Sequence, residues 1–216
     1  MVVVNRLLAL LIGYVFGAFQ TGYFYGKLHG IDIREHGSGN AGATNTLRTL
    51  GLKAGALTFV GDCLKAVAAI LIVTHFFGAN FIGDPRILGL YAGLGAVLGH
   101  NFPFYLKFKG GKGIACTAGV VCTVCPQAVP VCFVTFALCF WLTRYVSLGS
   151  IVMAALFIVQ VIEFNMMGVL GIPAKNILEY NILAIIFGAM AIWRHKANIG
   201  RLLNGTENKI GSKKKA

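Results

Sequence analysis

GIACTAGVVCTVCPQAVPVCFVTFALCFWLT, residues 113–143, contains no Lys, Arg, Asp or Glu. As a single helix this stretch would be about 45 Å long, against a bilayer hydrocarbon core of about 30 Å. Pro126 and Pro130 interrupt it near its middle, where each removes a backbone donor and crowds the preceding turn. The stretch therefore reads as two short spans that turn around Cys125-Pro126-Gln127. Working outward, apolar runs lie upstream at Leu7–Lys27, Ala54–Phe77 and Ile87–Tyr105, and downstream at Leu148–Met167 and Ile177–Trp193. Seven crossings result.

Composition agrees with a membrane protein. The chain has 216 residues, 57% hydrophobic and 12% charged, with a mean hydropathy of +0.76. A soluble domain carries about 25% charged residues. Continuous rather than alternating apolar segments point to helices and exclude a barrel. The expected fold is an all-α integral membrane bundle in one domain, residues 1–216, with a basic tail at 194–216. The first apolar run is read as a transmembrane helix rather than a cleaved signal peptide.

Charge sets the expected topology. With seven crossings, fifteen of the nineteen Lys and Arg residues fall on one side. That side includes Lys27, Arg34, Arg48, Lys53, the Lys107 cluster, Arg144 and the whole tail through Lys215. Arg6, Arg86 and Lys175 fall on the other side, and Lys65 lies within a span. The positive-inside rule puts the fifteen in the cytoplasm, with the N-terminus outside and the C-terminus cytoplasmic. The net charge of +12 suits an anionic ligand or membrane surface. It does not suggest nucleic acid, because the basic residues sit at the ends of apolar runs.

Four polar segments converge on the cytoplasmic side. The first, Gly37-Ser38-Gly39-Asn40-Ala41-Gly42-Ala43-Thr44-Asn45-Thr46-Leu47-Arg48, is read as a glycine-rich loop. Its backbone can approach a ligand closely, and Arg48 can grip an oxyanion with a planar fork. Gly37, Gly39 and Gly42 spell G-x-G-x-x-G, but an apolar run precedes them where a dinucleotide site needs a strand. The second segment joins His100-Asn101-Phe102-Pro103 to Gly110-Gly111-Lys112-Gly113, a glycine-rich turn that opens a helix and offers N–H groups and an ammonium to an anion. It is not a nucleotide P-loop, because residue 106 is Leu and residue 113 is Gly. The third is Arg144-Tyr145-Val146-Ser147-Leu148-Gly149-Ser150. In the fourth, His195, Asn198 and Arg201 recur every three residues along one helix face, as an anionic substrate with a proton to move would require.

Other residues read as structural or stay open. The six cysteines all lie in apolar stretches, and the Cys122/Cys125 pair has no second pair beside it. The histidines show no ligand spacing, so no metal and no cofactor are expected. Asp62 and Lys65, three apart inside a span, share a face as either a buried structural pair or a catalytic one.

The motifs together resemble the bacterial membrane glycerol-3-phosphate acyltransferases that use acyl phosphate as donor. The matching residues are Ser38-Gly39-Asn40-x-Gly42-x-x-Asn45-x-x-Arg48, Gly99-His100-Asn101-Phe102-Pro103 through Gly110-Gly111-Lys112-Gly113, Arg144-Tyr145-x-Ser147-Leu148-x-Ser150, and His195-x-x-Asn198-Ile199-x-Arg201-Leu202-x-x-Gly205-x-Glu207. They span nearly the whole chain. Departures are Ala66, where the family usually has glycine, and the Cys116-Thr117 pair. The resemblance implies seven helices in the bacterial inner membrane and a site facing the cytoplasm. It implies transfer of a fatty acyl group from acyl phosphate to the 1-hydroxyl of glycerol 3-phosphate, giving lysophosphatidic acid and phosphate for phospholipid biosynthesis. Catalytic roles then fall to Ser38, Arg48, Lys112, His195 and Asn198. Substrate binding falls to Gly39, Asn40, Gly42, Asn45, His100, Asn101, Gly111, Gly113, Arg144, Ser147, Ser150, Arg201 and Glu207. The implied partners are the two substrates and membrane lipids, with room for association with other phospholipid-synthesis enzymes.

The residues agree with that reading. Two phosphorylated substrates need two anion cradles, and Ser38/Arg48 and Lys112/His195/Arg201 are the candidates. The proton acceptor is either His195 or a phosphate oxygen of the acceptor. No His-x-x-x-x-Asp occurs, the pair that marks acyltransferases using thioesters. The alternative functions are a transporter for a phosphorylated anion and a lipid-binding scaffold without turnover.

Overall fold

The structure, a computed structural model, describes residues 2–79, 81 and 83–211. Lys213, Lys214 and Lys215, which contribute to the charge asymmetry, lie outside the described residues. No strand occurs among the described residues. The helices are α1 (Val2–Ala18), α2 (Thr21–Leu28), α3 (Ala43–Leu50), α4 (Leu52–Phe77), α5 (Pro85–Asn101), α6 (Ile114–Val124), α7 (Val129–Thr143), α8 (Val146–Met166), α9 (Ala174–Arg194) and α10 (Lys196–Leu203).

Among the described residues, six segments are long and apolar enough to cross a membrane: Val2–Leu28, Leu52–Phe77, Pro85–Leu106, Pro126–Thr143, Val146–Met166 and Ala174–Arg194. The uncharged stretch does divide, at Cys125–Ala128. Cys125 precedes a proline and leaves the helical region at φ −146°. The two halves are unequal. At 11 residues, α6 is about 16 Å long, roughly half the hydrocarbon core.

Two expectations are corrected. The first apolar run is two helices, broken at Phe19–Gln20. The break frees carbonyl groups that need partners inside an apolar bundle. Tyr105 donates its hydroxyl to the Ala18 carbonyl at 2.9 Å, and Lys65 donates to that of Phe19. The segment from Leu28 to Lys53 is likewise not all loop. Its second half is α3, so Thr44, Asn45 and Arg48 ride on a helix.

Close backbone approach holds α1 against α5. A Cβ at Gly13 would fall 1.9 Å from the Ala92 carbonyl oxygen, and one at Gly95 would fall 2.1 Å from that of Leu10. Small residues one turn apart allow this contact, where van der Waals packing replaces hydrophobic drive. One end of the bundle is clamped by Arg6, whose Nε and Nη2 donate to both Glu179 oxygens at 2.5 and 2.6 Å. At the same end Arg86 donates to the Leu170 and Gly171 carbonyls, while Asp84 caps α5. The polar segments gather at the opposite end. There Arg48 donates to the Asn208 carbonyl at 3.0 Å and the Ile210 N–H to that of Arg144 at 3.1 Å.

Candidate active site

A single cavity of about 430 Å³ opens among these polar segments and continues between α4, α6, α7, α8 and α9. Its polar head is lined by Ser38, Asn40, Gly42, Thr44, Asn45, Arg48, Lys112, Gly113, Ser147, Ser150, His195, Asn198 and Glu207, with Asp62 and His100 at its base. Its remaining wall is apolar: Ile114, Val121, Val129, Phe133, Phe136, Met153, Phe157 and Phe187. Phe59 and Phe133 belong to this wall and are 45% and 69% exposed on the bundle surface. The groove therefore reaches the face a bilayer would cover.

Most head residues are held by traceable bonds, whereas the buried Ser147 hydroxyl has no hydrogen-bond partner. Asn45 is buried and knits the first loop together. Its Oδ1 accepts from the Ser38 N–H and hydroxyl at 2.7 and 3.1 Å, and its Nδ2 donates to the Ile33 and His36 carbonyls. Its amide is thus occupied within the loop. Asn40 Oδ1 accepts the Gly42 N–H at 3.0 Å. Arg48 gives one guanidinium nitrogen to Asn208, and its buried Nε has no protein partner. Burial lowers the Arg48 pKa, and Glu207 opposes that shift.

The second segment hangs on His100. Its carbonyl accepts the Gly111 N–H and the Gln20 side chain, both at 3.0 Å, and its Nδ1 lies 2.9 Å from Lys65 Nζ. The ring lies directly beneath the turn. A Cβ on Gly111 would fall 1.9 Å from His100 Nε2. Arg194 Nη2 donates to the Gly111 carbonyl at 2.7 Å, with its guanidinium 5.0 Å from the Phe102 ring centre. Gly113, at φ +83°, turns the chain into α6.

Lys112 projects from that turn and donates to Asn198 Oδ1. Asn198 Nδ2 donates to Glu207 Oε1 at 2.9 Å, and Glu207 Oε2 accepts from Arg201 Nε at 2.8 Å. Burial brings the Lys112 ammonium down to about 8; Glu207 opposes this, and Arg201, Arg48 and Arg194 reinforce it. His195 is buried, and its Nδ1 donates to the Ala191 carbonyl at 2.7 Å, which leaves Nε2 unprotonated. Burial and the neighbouring Lys112 push its pKa down to about 4. At neutral pH the site therefore presents a neutral imidazole beside at least two cations.

Thirteen of the eighteen expected site residues lie on this cavity. Gly39, Asn101, Gly111, Arg144 and Arg201 do not line it. Gly111 and Asn101 shape the turn that carries Lys112, and Arg201 acts through Glu207. Arg144 ends α7 at φ +63°, and its carbonyl receives Ile210. The two anion cradles are facing walls of one chamber. Sequence reasoning missed Gln20 and Arg194, while Thr44, one of the polar groups of the glycine-rich segment, does line the cavity. Gln20, an amide inside an apolar run, and Arg194, adjacent to His195, carried the available signals. The Asp62–Lys65 pair is real, at 2.8 Å, and reaches His100.

Comparisons with known proteins agree across the chain. The sequence model described as "Glycerol-3-phosphate acyltransferase" matches residues 7–205. A glycerol-3-phosphate acyltransferase of Clostridioides difficile is 42% identical over 99% of this chain and 100% of its own length. One of Alkaliphilus metalliredigens is 42% identical over 96% and 97%. The crystal structure of PlsY, an integral membrane glycerol 3-phosphate acyltransferase, in its glycerol 3-phosphate form superposes with a TM-score of 0.79 at 38% identity, covering 95% of this chain and 96% of that one.

Proposed function

Since the chain belongs to the glycerol-3-phosphate acyltransferase family, we propose that it moves a fatty acyl group from acyl phosphate to the 1-hydroxyl of glycerol 3-phosphate. The observation that carries this reading is the single cavity whose cationic head runs into an apolar groove. Lysophosphatidic acid has that same division, a phosphate at one end and an acyl chain at the other. A related PlsY crystal structure is the lysophosphatidic acid form, at 37% identity.

In the proposed step the acceptor hydroxyl oxygen attacks the acyl carbonyl carbon. The carbon–oxygen bond to phosphate breaks, and phosphate leaves with the bonding electron pair. Arg48, the Ser38 hydroxyl and Lys112 stabilise charge on the two phosphates and the developing oxyanion. Holding both substrates in one chamber supplies much of the rate. The hydroxyl proton passes to the acceptor's own phosphate. A phosphate monoester monoanion loses its second proton at about pH 6 in water, whereas His195 is lowered to about 4, which favours the phosphate dianion over His195 as the proton acceptor. His195 Nε2 then serves as an acceptor that orients the hydroxyl. Asn45 and His100 shape the two loops rather than gripping phosphate.

The proposed topology is seven crossings, with the N-terminus outside and both the site and the C-terminus in the cytoplasm. It is supported by the basic residues gathered at the site end and by α6, which runs antiparallel to α5. Near its end, Val124 receives the Tyr180 hydroxyl at 2.7 Å. In a bacterium the membrane is the cytoplasmic one.

The test is turnover by purified protein in detergent, where no gradient exists for a transporter to use. Acyl phosphate with glycerol 3-phosphate is expected to give lysophosphatidic acid, and acyl-CoA and acyl-carrier-protein are expected to give none. Free phosphate should inhibit competitively with the donor, and Lys112→Ala should weaken that inhibition along with the rate. Comparable turnover with acyl-CoA, in a preparation free of thioester-to-acyl-phosphate conversion, would sink the donor assignment.

A further inference from the structure

Asp62 lies about two-fifths of the way along α4, in a segment apolar enough to cross the membrane, and is 1% exposed. An ionisable group at such depth is costly and usually functional. Its Oδ1 is fully engaged: Thr21 Oγ1 donates to it at 3.0 Å and Lys65 Nζ lies 2.8 Å away, with His100 Nδ1 at 3.7 Å. Its Oδ2 is buried and has no donor. Asp62 also forms part of the cavity wall.

The other carboxylate and amide oxygens of that wall sharpen the contrast; among its hydroxyls, Ser147 Oγ is buried and also without a partner. Asn40 Oδ1 takes the Gly42 N–H, Asn45 Oδ1 takes Ser38, and Asn198 Oδ1 takes Lys112. Both Glu207 oxygens are occupied, by Asn198 and Arg201. Among the described carboxylate and amide oxygens lining the cavity, Asp62 Oδ2 alone lacks a hydrogen-bond donor. A buried carboxylate oxygen left unpaired costs free energy, which a hydroxyl would relieve.

We propose that Asp62 Oδ2 accepts a hydrogen bond from the secondary hydroxyl of the acceptor, so that Asp62 selects a glycerol-type diol phosphate over a simple hydroxyalkyl phosphate. The inference rests on the acyltransferase reading above. The chamber is otherwise dominated by groups that suit phosphate, and phosphate alone does not distinguish glycerol 3-phosphate from other small phosphomonoesters. The reacting hydroxyl gives up its proton, but the second hydroxyl keeps its own and must donate it within a dry site. An ion-paired carboxylate has acceptor sites only, so it recognises a donor and repels a second anion. Lys65, held by Asp62, the Phe19 carbonyl and His100, keeps that carboxylate fixed. A site built around a substrate hydroxyl discriminates strongly against an analogue that lacks it, because its own polar atom is then stranded.

The test compares three acceptors with a fixed acyl phosphate in detergent: glycerol 3-phosphate, 3-hydroxypropyl phosphate, and the analogue with fluorine in place of the secondary hydroxyl. Fluorine keeps the approximate size but cannot donate. Wild-type kcat/KM should fall at least tenfold for both analogues. In Asp62→Ala, which leaves no polar group to meet the hydroxyl, the ratio between glycerol 3-phosphate and 3-hydroxypropyl phosphate should collapse to within about threefold, whatever the absolute rate. A purely structural Asp62 would lower all three rates together and leave the ratio unchanged, and that result would overturn the inference. If Asp62→Ala fails to accumulate, Asp62→Ala/Lys65→Met removes both buried charges and is read the same way. Equal wild-type use of the fluoro analogue would overturn the inference without any variant. Failure of glycerol 3-phosphate itself to be acylated would instead overturn the acyltransferase reading.

Discussion

Gly111→Ala tests whether the turn above His100 positions Lys112. A Cβ at residue 111 would lie 1.9 Å from His100 Nε2 and 2.7 Å from Cε1, where ordinary contact begins at 3.4 Å. The turn or the ring must therefore move by about 1.5 Å. The ring has little freedom, because Lys65 holds its Nδ1 and Gln20 holds its carbonyl. The turn is the part that yields, and it carries Lys112 with it. A misplacement of about 1 Å in a positioned group costs roughly 100-fold, or about 2.7 kcal/mol of transition-state stabilisation. The expected result is a fall of that size in kcat/KM for acyl phosphate, with phosphate inhibition weakened in parallel. Gly200→Ala is the matched control: a Cβ there meets nothing within 4 Å, and the change should leave kinetics unaltered. Both variants are to be checked for monodispersity and melting temperature in detergent. Gly111→Ala kinetics within threefold of wild type, in protein of normal stability, would refute the positioning role.

Other expectations follow from the same site. Lys112 is charged below about 8 and neutral above it. Raising the pH through that value should therefore raise the donor KM and weaken phosphate inhibition, and Lys112→Arg should remove the dependence; a flat inhibition constant to pH 9.5 would contradict it. His195 is neutral at every pH above about 4, so an acidic limb near pH 6 belongs to the acceptor phosphate and should survive His195→Ala with its midpoint unchanged. Loss of that limb would make His195 the base. For topology, cysteines introduced as Ala79→Cys and Asn208→Cys in a background without native cysteines should label from outside intact cells at residue 79 only. The reverse pattern would invert the orientation.

Hydropathy and charge are local properties of the chain, and they determined most of the architecture. Continuous apolar runs with no charge must satisfy their own backbone in lipid, so they become helices. Pro126 and Pro130 made a break in the uncharged stretch unavoidable. The polar segments were legible because glycine, amide and cationic residues are conspicuous against an apolar background. Their residue spacing was enough to align the chain with a known enzyme family. What the sequence could not supply was anything decided by packing between distant segments. The break at Phe19–Gln20 looks like continuous helix in hydropathy, because its freed carbonyls are met by Lys65 and Tyr105, which lie far away in the chain. Asn45 looked like a phosphate ligand until its four bonds were found within its own loop. The spacing of His195, Asn198 and Arg201 marked the tail as part of the site, but that Asn198 bridges Lys112 to Glu207 is decided only by packing. Asp62 was ambiguous for the same reason. Whether a buried carboxylate is saturated or has one oxygen to offer depends on where Thr21, Lys65 and His100 come to rest, and only the folded bundle fixes that.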